Sequence, residues 1–223
     1  MATSPAEFGT YFDKRASRFA AFYHSRPVAW LLGRGPLFDR LDRSVDLLAS
    51  HGAKTVLDVG CGSGPLFGPL AGHGIKVTGI DPAPKMLVLA RQEAAKYPEQ
   101  VVVQERGWEQ VDETDAYDAA VALGVFDYTD DPDAVLGRLG RAARAVIASF
   151  PSPGLRLRLR QVRYGARGVH VHGYTRARLE ALAAAAGMQV GELSTLGRAG
   201  HLVMFERRTD SEPGDRGTTP TGR

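Results

Sequence analysis

Residues 56–64 read Val-Leu-Asp-Val-Gly-Cys-Gly-Ser-Gly, and this stretch decides the fold. Its apolar start predicts a buried strand that carries Asp58 and then runs into three alternate glycines, Gly60, Gly62 and Gly64. A glycine turn lets the backbone approach a ligand closely because no Cβ stands in the way. The first amides of the segment that follows can also donate hydrogen bonds to a polar ligand. The stretch therefore predicts a strand and turn that bind a small molecule.

The spacing of the glycines indicates which ligand the turn holds. A dinucleotide fingerprint needs Gly-x-Gly-x-x-Gly. The sixth position of this motif must be glycine. It is occupied by Pro65 when the motif is counted from Gly60 and by Phe67 when it is counted from Gly62, so neither register fits. The pattern Asp-x-Gly-x-Gly-x-Gly instead resembles the first motif of the class I S-adenosylmethionine-dependent methyltransferases. That resemblance implies that the loop holds the methionine part of S-adenosylmethionine, and it places four residues there: Asp58, Gly60, Cys61 and Gly62.

The composition suits one domain with appendages. The chain has 223 residues, of which 43% are hydrophobic, and this is enough for a sizeable core. It has no apolar run of about 18 residues, and its first residues lack the basic and apolar regions of a signal peptide. Cys61 is the single cysteine, which excludes an internal disulfide. We therefore expect a cytoplasmic protein without a membrane partner.

Strands and helices alternate along the chain, which predicts a doubly wound α/β fold with a mostly parallel sheet. A glycine-rich turn between the last two apolar runs predicts a C-terminal antiparallel hairpin. The family resemblance implies the same seven-stranded, Rossmann-like sheet. The predicted strands are 54–59, 76–80, 101–104, 119–123, 145–150, 188–194 and 201–206, and patterned helices are expected at 85–96, 133–142 and 175–186.

Three parts follow from this organisation. Residues 1–50 are predicted to form a helical N-terminal cap. Residues 51–208 are predicted to form the S-adenosylmethionine-binding domain, in which 151–174 is a lid insertion. Residues 209–223 are polar and rich in glycine, proline and threonine, a composition that predicts disorder.

Asp81 ends the second predicted strand, where ligands of such sheets bind. A carboxylate there can accept hydrogen bonds from both ribose hydroxyls, although an acid before Pro82 also suits a plain turn. Residues 79–91 resemble the second motif of the family, which implies that Pro82 and Met86 flank the adenosine. A methionine on a helix is equally compatible with a core position.

The remaining cofactor contacts come from later strands and from the N-terminus. The family contacts adenine after the third strand, where this chain has Gly107 and Trp108, so a backbone amide and ring packing are expected there. A simple core or surface role is the alternative for Trp108. Leu123 leaves the fourth strand, and Tyr11 is the N-terminal residue assigned to the cofactor.

Candidate catalytic residues follow the fourth and fifth strands. Asp127 and Tyr128 stand where the family faces the transferred methyl group, so a base or hydrogen-bond partner of the acceptor is expected there. A helix-capping or loop role for Asp127 is the alternative. His172 and Tyr174 alternate after the fifth strand and are assigned to the acceptor pocket, with ordinary packing as the alternative. No metal site is predicted, because no carboxylate or thiol lies near them in the sequence.

Five arginines lie within residues 156–167. They could bind a carboxylate or phosphate of a substrate, bind nucleic acid, or form a solvated helix face. Tyr164 is the only aromatic residue among them, which argues against a surface for single-stranded nucleic acid. We favour a lid over an acidic small molecule. The arginines are Arg156, Arg158, Arg160, Arg163 and Arg167.

The chain also resembles, more weakly, the magnesium-protoporphyrin O-methyltransferases, in its residues 11–13, 147–151 and Tyr174. That branch has His-Tyr where this chain has Asp127-Tyr128. The predicted function is methyl transfer from S-adenosylmethionine to an O or N nucleophile of a small molecule. The alternatives are an RNA methyltransferase, although no Asn/Asp-Pro-Pro-Tyr-like tetrapeptide follows the fourth strand, and a non-catalytic cofactor-binding module. The oligomeric state is left open.

Overall fold

The computed structural model describes residues 35–113, 116–166, 168–197 and 200–208. The N-terminal part of the predicted cap, with Tyr11, and the tail 209–223 lie outside the described residues. The helices are α1 (Gly35–Ser50), α2 (Phe67–Gly72), α3 (Pro84–Ala94), α4 (Pro132–Ala142), α5 (Leu155–Gly165) and α6 (Arg176–Ala185), with a 3₁₀ turn at Trp108–Gln110. The strands are β1 (Thr55–Val59), β2 (Lys76–Asp81), β3 (Val101–Glu105), β4 (Tyr117–Ala122), β5 (Ala143–Pro151), β6 (Met188–Thr195) and β7 (Gly200–Arg207).

The strands form one seven-stranded sheet in the order β3-β2-β1-β4-β5-β7-β6. The neighbours from β3 to β5 are parallel, whereas β7 pairs antiparallel with both β5 and β6. The predicted fold class, with its terminal hairpin, is confirmed. The order of strands reverses direction between β1 and β4, and ligands bind beside such a switch point at the carboxyl ends of the strands.

The core lies on both faces of the sheet, because alternate side chains of a strand point to opposite faces. In β1, Val56 joins a cluster with α1, α2 and α3, while Leu57 joins a second cluster with α4 and α6. Both side chains are fully buried. Central strands that are apolar on both faces are typical of doubly wound parallel sheets.

Asp118 ties β4 to the start of β1 at the amino edge of the sheet. Its Oδ2 accepts hydrogen bonds from the backbone N–H of Lys54 (2.9 Å) and Thr55 (3.0 Å) and from the Thr55 hydroxyl (3.1 Å). These bonds lower the pKa of Asp118 because they favour its charged form, and the bond from Lys54 has the largest effect. The carboxylate lies at the edge opposite to the strand ends that bind ligands, and its role is to stabilise the fold.

Candidate functional site

The loop after β1 keeps its shape through glycines that adopt left-handed backbone angles. Gly60, Gly62 and Gly64 have φ values of +68°, +57° and +78°, which other residues rarely adopt. The amides of Gly60 and Cys61 both donate to the carbonyl of Ile80, at 2.8 and 3.0 Å. The loop is thereby fixed to the end of β2, with Gly60 solvent-exposed.

The same loop lies against the loop that follows β4. A Cβ atom at Gly60 would come within 3.0 Å of Cγ2 of Val125, whereas a Cβ at Gly62 would meet no atom within 4 Å. Gly60 therefore permits a close approach between the two loops, and Gly62 leaves open space above its backbone. Such open space beside a glycine backbone is what a closely bound ligand requires.

Asp58 is the buried acid of this site. Its side chain is 3% exposed, and its Oδ2 has no hydrogen-bond partner. Burial, reinforced by the nearby charge of Asp81, raises the pKa of Asp58 to about 7. An unpaired buried carboxyl oxygen is costly, so the structure offers here an acceptor suited to a cationic group of a ligand.

Asp81 at the end of β2 holds two backbone segments together. Its Oδ2 accepts a hydrogen bond from the Gly62 N–H at 2.9 Å, and its Oδ1 accepts one from the Ala83 N–H at 2.8 Å. A carboxylate can accept about four hydrogen bonds, so these two bonds are compatible with further donors such as a ribose diol. The turn role and the ligand role, which the sequence presented as alternatives, are therefore compatible.

Cys61 is a free thiol packed beneath the loop. It is 3% exposed, and a Cβ at Gly79 would lie 3.1 Å from its Sγ. Burial, followed by the charges of Asp58 and Asp81, raises the pKa of the thiol well above its usual value. A thiol that resists ionisation is a poor nucleophile, so Cys61 serves as a small packed residue of the loop.

The residues assigned to the adenosine lie near the ends of β2 and β3. Met86 is 5% exposed and packs with Ala83 in a small cluster of its own, while Pro82 is exposed. The Gly107 amide donates to Oε1 of Gln110 at 2.9 Å, so the backbone donor expected for adenine already has an internal partner.

Two further cofactor candidates flank this region. Trp108 is half-buried and packs its ring against the cluster under α4. Leu123, just after β4, is also half-buried and packs against the opposite cluster. Both residues follow the carboxyl ends of their strands and are only partly buried, as a ligand contact requires.

The loop after β4 carries a shielded ion pair. Nη2 of Arg160 in α5 donates to Oδ2 of Asp127 at 2.7 Å and lies 3.4 Å from the Tyr128 hydroxyl. The guanidinium also lies beside two neighbouring rings, 6.0 Å from the centroid of Tyr128 and 5.9 Å from that of Tyr164, and these centroids are 6.3 Å apart. Burial, followed by the charge of Asp127, raises the pKa of Tyr128 above its usual value. The Tyr128 phenol therefore stays neutral at physiological pH.

The capping alternative for Asp127 does not hold in this structure. The residue that caps α4 is Asp131, whose side chain accepts a hydrogen bond from the Ala134 N–H at 2.9 Å. Asp127 instead binds Arg160, and its carbonyl accepts the His172 N–H at 2.8 Å. The predicted lid insertion thus packs on the loop after β4 both through α5 and through its return segment, residues 168–174.

His172 and Tyr174 have different surroundings. Nε2 of His172 lies 3.0 Å from Oδ1 of Asp130, a carboxylate partner that the sequence does not place nearby. Tyr174 is 3% exposed, packs edge-on against Phe150 and donates its hydroxyl to the Phe126 carbonyl at 3.0 Å. This placement favours a packing role for Tyr174 over the catalytic role that its position in the sequence suggested.

Arg40 is a candidate site residue that sequence reasoning missed. Its Nη1 donates to the Ser149 hydroxyl at 3.4 Å, while its buried Nε has no hydrogen-bond partner. The Ser149 oxygen also accepts the Gly124 N–H at 3.0 Å, and a Cβ at Gly124 would lie 3.6 Å from the Arg40 guanidinium. A cation from α1 therefore lies at the carboxyl ends of β4 and β5. Nothing in the pattern of α1 distinguishes Arg40 from its other charged residues, so only the fold could reveal it.

Among residues 35–208, less the short gaps given above, no group of three or more His, Cys, Asp or Glu side chains could hold a metal ion. In the same residues no helix is both long and apolar enough to cross a membrane.

Comparisons with known proteins agree with this geometry. Residues 57–145 match a family model described as a methyltransferase domain. The ubiquinone biosynthesis O-methyltransferase of Paramagnetospirillum magneticum is 32% identical over 120 residues, which cover 54% of this chain and 48% of that protein. The chain thus spans about half the length of the curated relatives it matches.

Solved structures share the fold over most of the chain. The magnesium protoporphyrin IX methyltransferase of Synechocystis PCC 6803, solved with bound SAH, has a TM-score of 0.75 at 24% identity and covers 89% of this chain and 97% of its own. The 1,6-didemethyltoxoflavin-N1-methyltransferase of Burkholderia thailandensis has a TM-score of 0.62 at 21% identity, with coverages of 94% and 92%. At these identities the likeness concerns the fold.

Proposed function

We propose that this chain, which carries a class I S-adenosylmethionine-dependent methyltransferase domain, transfers a methyl group from S-adenosylmethionine to an oxygen or nitrogen of a small molecule. The observation that carries the proposal is the unpaired Oδ2 of Asp58, buried beneath a glycine loop at the switch point of the sheet. Dinucleotides do not need a buried acid at this point, whereas an amino-acid ligand offers it an ammonium group.

The residues present fit the cofactor. Asp58 would accept hydrogen bonds from the ammonium of the methionine part, and the open backbone at Gly62 would border it. Asp81 would accept the ribose hydroxyls while it holds Gly62 and Ala83 in place. Met86 and the ring of Trp108 would border the adenine. When bound, S-adenosylmethionine supplies an electrophilic methyl group on a cationic sulfur.

The chain's own contribution to the reaction is alignment and proton removal. Holding an acceptor atom about 3 Å from the reacting carbon is worth several orders of magnitude in rate. Asp127 and His172, which both lie where α5 and its return segment meet the loop after β4, are the candidate bases for the acceptor's proton. Arg160 acts as a positioning residue, because it fixes the Asp127 carboxylate.

The lid insertion would exclude water from this reaction. Residues 151–174 contact the loop after β4, and the hydrogen bond from His172 to Asp127 closes them onto it. A small cleft of about 360 Å³ remains between the start of α5 and Gly173. Excluding water strengthens the electrostatic interactions within such a site.

An acidic acceptor is favoured by Arg40. Arg160 is neutralised by Asp127, whereas the guanidinium of Arg40 contacts only the neutral Ser149 hydroxyl among the described hydrogen bonds. A carboxylate of the acceptor would satisfy the buried Nε, since guanidinium groups bind carboxylates in a bidentate manner. We also place the protein in the cytoplasm, because its one cysteine is a buried free thiol.

The test is a screen for S-adenosylhomocysteine release with pools of small carboxylic acids, neutral phenols, amines and RNA. Release that depends on a small molecule supports the proposal, and a preference for carboxylates that Arg40→Gln removes supports the acidic acceptor. Methylation of RNA alone would contradict it. S-adenosylmethionine binding without turnover in any pool would instead indicate a cofactor-binding module.

A further inference from the structure

Helix α5 presents a row of apolar side chains to solvent. Leu155, Leu159 and Val162 are 74%, 63% and 76% exposed. Their spacing of four and three residues places them on one face of the helix. Isolated exposed apolar residues are ordinary, but three in a row on a single helix form a surface that requires an explanation.

The opposite face of α5 holds the helix on the protein, which fixes the direction of this row. Leu157 is 7% exposed, Arg160 binds Asp127, and Nε2 of Gln161 donates to the Val171 carbonyl at 2.9 Å. The row therefore points away from the body of the molecule. We call Leu155, Leu159 and Val162 the apolar stripe.

Arginines border the apolar stripe on both sides. On a helical projection Arg158 lies on one side, and Arg156 and Arg163 lie on the other. The sequence of α5 contains no acidic residue. An apolar row between two basic borders is the pattern of helices that lie in the interface of anionic membranes.

We propose that the apolar stripe docks on the surface of a bilayer containing anionic lipids. The stripe is one side chain wide, and three side chains cannot supply the roughly 1,600 Å² that a standard protein interface buries. A helix lying in a lipid interface needs only to insert its apolar face by about 5–10 Å. The exposed guanidinium of Arg158 then reaches the phosphates of the headgroups.

This docking places the lid insertion between the membrane and the loop after β4, because the same helix carries Arg160. An acceptor dissolved in the lipid could then enter from the bilayer side. That consequence rests on the proposed function, whereas membrane binding itself does not.

The experiment is co-flotation of the full chain with phosphatidylcholine vesicles, with and without phosphatidylglycerol, in the absence of cofactor and acceptor. The chain is expected to float with the anionic vesicles and to be released by salt. Leu159→Glu should lower the partition coefficient by roughly tenfold or more. Arg158→Gln should lower it by roughly fivefold, on anionic vesicles only.

Matched controls come from two other exposed valines. Val88 is 53% exposed and Val102 is 55% exposed, and both lie on other elements. Val88→Glu and Val102→Glu should float like the parent chain, and near-ultraviolet circular dichroism should show that all the variants are folded.

Three results would overturn the proposal. The first is failure of the folded parent chain to float with anionic vesicles. The second is a dimer in lipid-free sedimentation that Leu159→Glu disperses, which would assign the stripe to a second copy of the chain. The third is that the parent chain does not float but binds an RNA oligomer, with an affinity that Arg158→Gln lowers and Leu159→Glu leaves unchanged.

Discussion

The Arg160 guanidinium donates a hydrogen bond to the Asp127 carboxylate across 2.7 Å, although 33 residues separate them in the chain. The two side chains are 32% and 11% exposed, so water screens the pair less than it screens a surface ion pair. The contact joins the predicted lid insertion to the loop on which the candidate base lies. The position of α5 and the orientation of the Asp127 carboxylate are therefore coupled.

A double-mutant cycle measures this coupling. Arg160→Gln and Asp127→Asn should each lower the free energy of unfolding by about 1–2 kcal/mol, less than for a fully buried pair because Arg160 is partly exposed. Arg160→Gln should also raise the KM for the acceptor more than the Kd for S-adenosylmethionine. Arg158→Gln, on the outer side of α5, is the matched control and should change neither the free energy of unfolding nor the KM for the acceptor. Strictly additive effects of the two substitutions would show that the pair does not interact.

Gly60 and Gly62 should respond differently to alanine. Both have positive φ, which costs an L-residue about 1–2 kcal/mol, but only at Gly60 would the new Cβ meet Val125 at 3.0 Å. Chemical denaturation should therefore show a larger loss of stability for Gly60→Ala than for Gly62→Ala. Val125→Ala should restore part of the difference. Equal losses would mean that the two loops adjust freely.

Asp58 should make the unliganded protein less stable as the pH rises. Its pKa is about 7 in the folded chain, against 3.8 for an unperturbed group. Between these values only the unfolded chain ionises the carboxyl, so rising pH favours unfolding there, and the effect levels off above about 7. Asp58→Asn removes this titration, so its stability relative to the parent should increase from pH 4 to 7. A difference that is constant over this range, measured by urea denaturation, would contradict the buried acid.

Tyr174→Phe should affect stability rather than turnover. The substitution removes one buried hydrogen bond to the Phe126 carbonyl, which costs roughly 1 kcal/mol. The thermal midpoint should fall by a few degrees for a domain of this size, while kcat stays within about twofold. A large loss of kcat in a variant of unchanged stability would restore the catalytic role that the sequence suggested.

The sequence predicts the sheet well because its signals are local. Each central strand is a largely apolar run, and β1 to β7 all fall within two residues of their predicted limits. Pro65, Gly68 and Pro69 disfavour a long helix after β1, and α2 has six residues. Local pattern and tertiary structure agree here, because strands that are buried on both faces need the continuous apolar runs that the sequence shows.

The partners within the site are harder to predict because they come together only through the fold. Arg40 reaches Ser149 across 109 residues, and His172 meets Asp130 across 42. In projection Arg156, Arg160 and Arg163 share one side of α5, yet Arg160 reaches inward to Asp127 while Arg156 and Arg163 lie exposed. Which cation is neutralised depends on the packing of the helix, and the sequence pattern does not specify it.

Calorimetric titration with S-adenosylmethionine measures whether this chain binds the methyl donor and whether Asp81 holds it. We predict one site of micromolar affinity in the parent chain, with weak or no binding of NAD. Folded Asp81→Asn should lose S-adenosylmethionine affinity by roughly tenfold or more, since charged hydrogen bonds of about 1.5–3 kcal/mol are lost. Tight NAD binding without S-adenosylmethionine binding, or full affinity in Asp81→Asn, would contradict these predictions.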